Sequence, residues 1–200
     1  LIATLATVAF AASAANFVQV EQENVLGRKG QGDSSVTYLR AGKDIGDYSL
    51  GLQSRTARFS AGGIANSLEA TVANSKVSVL GLTPFVGAGH DFGGTKSGFN
   101  YGLVGATTGA KIGAGYAYAG VKTRVMRQND ADPKQTVGFA GYSLPVAKSV
   151  ALNLGVSRSG GDIKERGVSA GLSFGFLCNR LGGAYLIRRF QNYREKRNAK

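Results

Sequence analysis

The chain has 200 residues, 43% hydrophobic and 18% charged, with 30 Gly, 3 Pro, one Cys and no Trp. That is one domain of sequence, too rich in glycine and too poor in charge for an ordinary soluble enzyme, and the single Cys178 excludes an internal disulfide framework. The net charge of +12 does not mark a nucleic-acid binder: residues 177–200 hold seven of the 24 Lys/Arg and one of the 12 acids, and the remaining basic residues are dispersed.

Residues 1–15 carry no charge and end in small residues, with Ala12-Ser13-Ala14 as an Ala-x-Ala site. This predicts the apolar core of a secretory signal peptide. Its positive n-region and initiator Met are not in the sequence, so the expectation is a signal cut short at its start. The run is too short for a membrane helix, which takes about 20 residues. Scarce Cys fits passage through an oxidising periplasm.

From residue 16 the sequence alternates between β-like runs and Gly, Asp, Asn, Ser and Lys punctuation. The predicted strands are 16–26, 35–43, 47–58, 66–74, 77–91, 98–107, 110–127, 135–144, 149–158 and 166–176. Many are near the 9–11 residues, roughly, that a tilted strand needs to cross a bilayer. The connections fall into two alternating sets. One is tight: Asp44-Ile45-Gly46, Asn74-Ser75-Lys76, Thr107-Thr108-Gly109-Ala110 and Pro145-Val146-Ala147-Lys148. The other is longer and more polar, at 27–35, 59–66, 92–98, 128–134 and 159–166.

Successive side chains of a strand point to opposite faces. Tyr48, Leu50 and Leu52 oppose Ser49, Gly51, Gln53 and Arg55. Leu68, Ala70 and Val72 oppose Glu69, Thr71 and Ala73. Phe99, Tyr101 and Leu103 form one face, as do Val150, Leu152 and Leu154, and both sets are expected to face outward like Tyr48, Leu50 and Leu52. The stretch 35–43 is mixed. In 110–127, the face bearing Ile112, Tyr116 and Tyr118 runs on into Lys122 and Arg124, which places these charges above the apolar band or in the lumen. The pattern is clearest at 166–176, where Val168, Ala170, Leu172, Phe174 and Phe176 alternate with Gly and Ser. One face is greasy and the other nearly bare, which suits lipid outside and a cramped lumen inside.

These features predict an all-β fold: a closed, antiparallel, up-and-down transmembrane β-barrel spanning 16–176. Ten strands return both ends to the periplasmic side; eight is the alternative. Closure would pin glycine-rich strands that slip in an open sheet.

The terminal strand ending at Phe176 resembles the recognition signal of Gram-negative outer-membrane β-barrels. TPFVGAGHDFG at 83–93 and SVALNLGVSRSGGDIKERGVSAGLSFGF at 149–176 are similar in style to small barrels of the OmpA-like superfamily. The resemblance spans residues 1–176. It implies the outer membrane of a Gram-negative bacterium, contact with outer-membrane lipid and lipopolysaccharide, and assembly by the barrel-assembly machinery through Val168, Ala170, Leu172, Phe174 and Phe176. The pattern departs from the family after Phe176, where 24 basic-rich residues follow. The tail 177–200 reads as a disordered extension, or as a short basic amphipathic helix binding anionic headgroups or peptidoglycan.

Polar residues expected in the lumen are Glu21, Glu23, Gln53, Arg55, Glu69 and Asn153, either as a charged constriction or as paired groups plugging the interior. Tyr38, Tyr48, Phe85, Tyr101, Tyr116, Tyr118, Phe139, Tyr142, Phe174 and Phe176 are candidates for interfacial girdles. One His and one Cys build no metal cluster, and no cofactor motif is present. The expected role is structural or weakly permeable, without catalysis, with outer loops available for contact. Two alternatives remain. One is a barrel-rim enzyme using His90 and Asp91, with Asp130, Asp132 or Asp162 across the rim as in omptin-type proteases. Lipid A deacylase barrels need a Ser two residues after the His, where this chain has Phe92. The other is a secreted soluble β-sandwich used for binding.

Overall fold

Alternating apolar and small residues, punctuated every 10 to 15 residues or so by Gly-, Asp- and Ser-containing turns, favour hairpins over helices. The computed structural model describes residues 16–26, 33–93, 98–127, 135–162 and 164–175. Its elements are β1 (Phe17–Leu26), β2 (Ser34–Ile45), β3 (Tyr48–Phe59), β4 (Ile64–Asn74), β5 (Thr83–Asp91), β6 (Phe99–Ile112), β7 (Gly115–Arg127), β8 (Gln135–Ala147), β9 (Val150–Gly161) and β10 (Arg166–Gly175). Each strand pairs antiparallel with its sequence neighbours, and β1 pairs with β10 to close a ten-stranded barrel. At the closure Leu172 stands opposite Val20, and Phe174 opposite Val18. The eight-stranded and β-sandwich alternatives are thereby removed: one sheet closes on itself, and the described residues hold no second sheet for it to pack on. The predicted signal segment 1–15, Phe176 and the tail 177–200 lie outside the described residues.

Four connections lie at the end that carries both described termini, the turn end, and five at the other, the loop end. The expected alternation of connection length does not hold throughout. β3 and β4 are joined by only Ser60–Gly63, where Gly62 N donates to Phe59 O and Phe59 N to Gly63 O. The expected tight turn at Asn74-Ser75-Lys76 is instead a connection over 75–82, so β5 begins at Thr83 rather than residue 77. Apolar residues at 77, 79, 80 and 82 imitate a strand there, but Val79 and Leu82 bridge around a tight turn with both central residues at positive φ, Leu80 (53°) and Gly81 (80°). The Thr107–Ala110 turn is also corrected. β6 continues to Ile112 and reverses at Gly113-Ala114, where Gly113 takes φ 58°. Gly109 stays in the strand because the Tyr116 ring occupies the space a side chain would fill.

The barrel interior is filled by aromatic rings laid over glycines. Gly89 lies under Tyr101, Gly105 under Phe85, Gly120 under Phe139 and Gly141 under Tyr118. In each pair the two residues stand opposite one another on adjacent strands. An aromatic ring that covers a bare backbone gains contact area, and the missing Cβ makes room for it. Toward the loop end, Val25, Val36 and Ala57 form an apolar cluster with Tyr38, Phe59 and Ala65 packed on it, and Val36 is 0% exposed.

Candidate functional site

The lumen face collects most of the charge of the barrel wall. β1 presents Gln19, Glu21, Glu23 and Val25 inward, because its alternate residues Val20, Gln22, Asn24 and Leu26 are exposed. Glu21 accepts from Gln19 Nε2 at 2.6 Å and forms an ion pair with Arg40 of β2. Arg40 Nε donates to Gln53 Oε1 of β3 at 2.8 Å, and its guanidinium lies 4.5 Å from the Tyr38 ring centre. Glu23 accepts from the Tyr38 hydroxyl at 2.7 Å and from the Ser157 hydroxyl of β9. That last bond passes β10 at Gly167, where a Cβ would collide with the Glu23 carboxylate. Arg55 stands opposite Tyr38 in the β2–β3 register.

A second cluster links β4, β6 and β7. Lys122 Nζ reaches Glu69 Oε1 at 2.7 Å, and the Tyr101 hydroxyl donates to Glu69 Oε2 at 3.4 Å. This ion pair crosses the lumen past β5 and β6. The Arg124 guanidinium stacks 4.3 Å from the Tyr101 ring centre and 5.6 Å from that of Phe99. Buried charges need such partners, since removing one leaves the other desolvated and uncompensated.

Glu21, Glu23, Gln53, Arg55, Glu69 and Asn153 therefore all lie on the lumen face. Five gather in the two clusters or beside them, whereas buried Asn153 donates to the Ala151 carbonyl at 3.4 Å. Arg40, Tyr38, Tyr101 and Ser157 complete the network and are not singled out as lumen groups by sequence. For Arg40 the signal was the even-numbered set Tyr38, Arg40, Gly42 in a strand whose faces read as mixed. Phe99, Tyr101 and Leu103 face the lumen rather than outward, with Tyr101 4% and Leu103 2% exposed. The expected aromatic girdle is corrected in the same way. Tyr38, Phe85, Tyr101, Tyr116, Tyr118 and Phe139 fill the interior; Tyr48, Tyr142 and Phe174 face outward.

On the outside, Val168, Ala170, Leu172 and Phe174 of β10 form one row. His90 points outward, its Nδ1 2.7 Å from Asn100 Oδ1, with its ring edge-on to Phe92. Asp91 follows on the opposite face, where its Oδ1 accepts from Gly93 N at 2.9 Å. As neighbours along one strand, the two side chains point to opposite faces. Asp130 and Asp132 lie outside the described residues. Among the described residues no three His, Cys, Asp or Glu side chains group to hold a metal ion.

The fold is that of a small, closed, up-and-down β-barrel. No protein-family model matches the chain, and no curated protein matches it. Solved structures similar to it include the translocator domain of the autotransporter NalP from Neisseria meningitidis (13% identity, TM-score 0.49, 86% of this chain and 95% of that one). Others are the Neisserial surface protein NspA (13%, 0.43, 80% and 96%) and a loop-deletion mutant of OmpT, an outer membrane protein of Vibrio cholerae (13%, 0.38, 82% and 60%). At these values the likeness is one of fold, and the functional reading rests on the two faces of this barrel.

Proposed function

We propose that this chain is a structural outer-membrane barrel whose lumen is closed to solutes, and that it has no catalytic activity. The observation that carries this is the division of its two faces. Val20, Leu50, Val86, Val104, Val121, Leu154 and Leu172 are all exposed on the outer face, on seven different strands. An apolar surface that runs round a molecule far exceeds the few hundred Å², about, that soluble monomers expose. The opposite face carries paired charges and rings. Strands of nine to fourteen residues suit a tilted crossing of the hydrocarbon layer.

The partners follow from the same surface. Outer-membrane lipid and lipopolysaccharide would cover the belt, and the β10 row would present the barrel to the assembly machinery. The lumen supports a closed rather than a conducting interior, because the Glu69–Lys122 pair reaches across it past two strands, the Glu21–Arg40 pair lines its wall, and the Val25–Val36–Ala57 cluster fills part of its loop end.

Cell fractionation with heat-modifiable gel migration tests the location. The expected result is recovery with outer membranes and a band that shifts on boiling. Recovery in the soluble periplasmic fraction would sink the proposal.

A further inference from the structure

Two arginines face each other on the outside of the barrel. Arg166 of β10 and Arg158 of β9 are direct cross-strand partners. Both side chains point outward: their neighbours Ser157 and Gly167 lie on the lumen side against Glu23. Like charges placed opposite one another on a sheet destabilise it. Neither guanidinium has a hydrogen-bond, ion-pair or ring partner among the described residues, whereas Asp162 and Glu165 of the adjoining loop have interactions of their own.

The ground around the pair is open. Arg158 is flanked across the β8–β9 ladder by Gly138, and along β9 by Gly160, beside which a Cβ would meet nothing within 4 Å. Directly toward the turn end lie Val156 and Val168, themselves cross-strand partners, 56% and 62% exposed. The site is thus two unpaired cations at the loop-end margin of an apolar strip.

We infer that Arg158 and Arg166 together dock the phosphate-bearing headgroup of an outer-leaflet lipid, its acyl chains lying on Val156 and Val168. A phosphate between two guanidinium groups accepts charge-assisted, bidentate hydrogen bonds from both and removes their repulsion. A peptide carboxylate would satisfy the charge but leave the apolar strip unused; a lipid uses both. This inference rests on the membrane-barrel reading above.

The full chain, folded into phosphatidylcholine bilayers, is titrated with bisphosphorylated lipid A, and bound lipid is read by native mass spectrometry. Arg158→Gln and Arg166→Gln are each expected to weaken binding about fivefold, and the double variant about 25-fold, from the usual worth of one basic residue at an anionic lipid surface. Dephosphorylated lipid A should not distinguish the double variant from the original chain. Without lipid A, the double variant should be no less stable than the original, because the like-charge pair is gone. Equal binding by all variants would overturn the inference, as would full displacement of lipid A by inorganic phosphate, which would make this a simple anion site. A chain that shows no heat-modifiable band in these bilayers would instead overturn the membrane-barrel reading itself.

Discussion

The wall built from β1–β4 and the wall built from β5–β8 fill the same lumen by different means. The first uses charge: Arg40 joins Glu21 to Gln53, and Glu23 accepts from Tyr38, beside the apolar cluster of Val25, Val36 and Ala57. The second uses shape, with Phe85, Tyr101, Tyr118 and Phe139 laid over Gly105, Gly89, Gly141 and Gly120. Glu69 and Lys122 join the two walls. The contrast teaches that a narrow lumen needs complementarity more than polarity. A charge there requires its partner and a ring requires its gap, so either kind of pair fails when one member changes.

The largest effect is expected where the two walls meet. Glu69→Ala leaves Lys122 without its counter-ion and should destabilise the barrel by about 3 kcal/mol, in the range for breaking a buried pair. Glu69→Gln combined with Lys122→Met should recover much of that loss. Denaturant unfolding followed by far-ultraviolet circular dichroism measures both; equal loss in the single and double variants would show that the pair contributes nothing beyond packing. On the aromatic side, Tyr118→Ala uncovers Gly141 and should cost about 3 kcal/mol, while Gly141→Ala drives a methyl into the Tyr118 ring and should cost about 1–3 kcal/mol. If Gly141→Ala were neutral in the same unfolding assay, ring-over-glycine packing would not be what fills that wall. The smallest effect belongs to the exposed pair Lys76–Asp47 at the turn end, 2.6 Å apart. Lys76→Ala should change stability by at most about 1 kcal/mol, and high salt should erase the difference.

Strand number, order and closure were legible in the sequence because period-two alternation and turn residues recur along it, most clearly in β10 and β4. Lumen placement of Glu21, Glu23, Glu69 and Asn153 was legible for the same reason. Three features were not. The face of β6 read as lipid-directed because Phe99, Tyr101 and Leu103 are apolar, and that of β7 read as ambiguous; a lumen filled with rings reverses the ordinary meaning of apolar residues. Turn positions failed where glycine has two uses: Gly113 reverses the chain, whereas Gly109 makes room for Tyr116. The 75–82 connection carries the alternation of a strand without its pairing. The Arg158–Arg166 pair depends on register between two strands, and one strand's pattern does not contain it.

The central claim is a membrane barrel with a closed lumen, and planar-bilayer conductance of the full chain tests it most directly. No steady current is expected from the original protein, and current should appear when Glu21→Ala, Arg40→Ala and Val36→Ala are combined to remove both an ion pair and the core of the apolar cluster. A steady, ohmic current through the unaltered chain would contradict it.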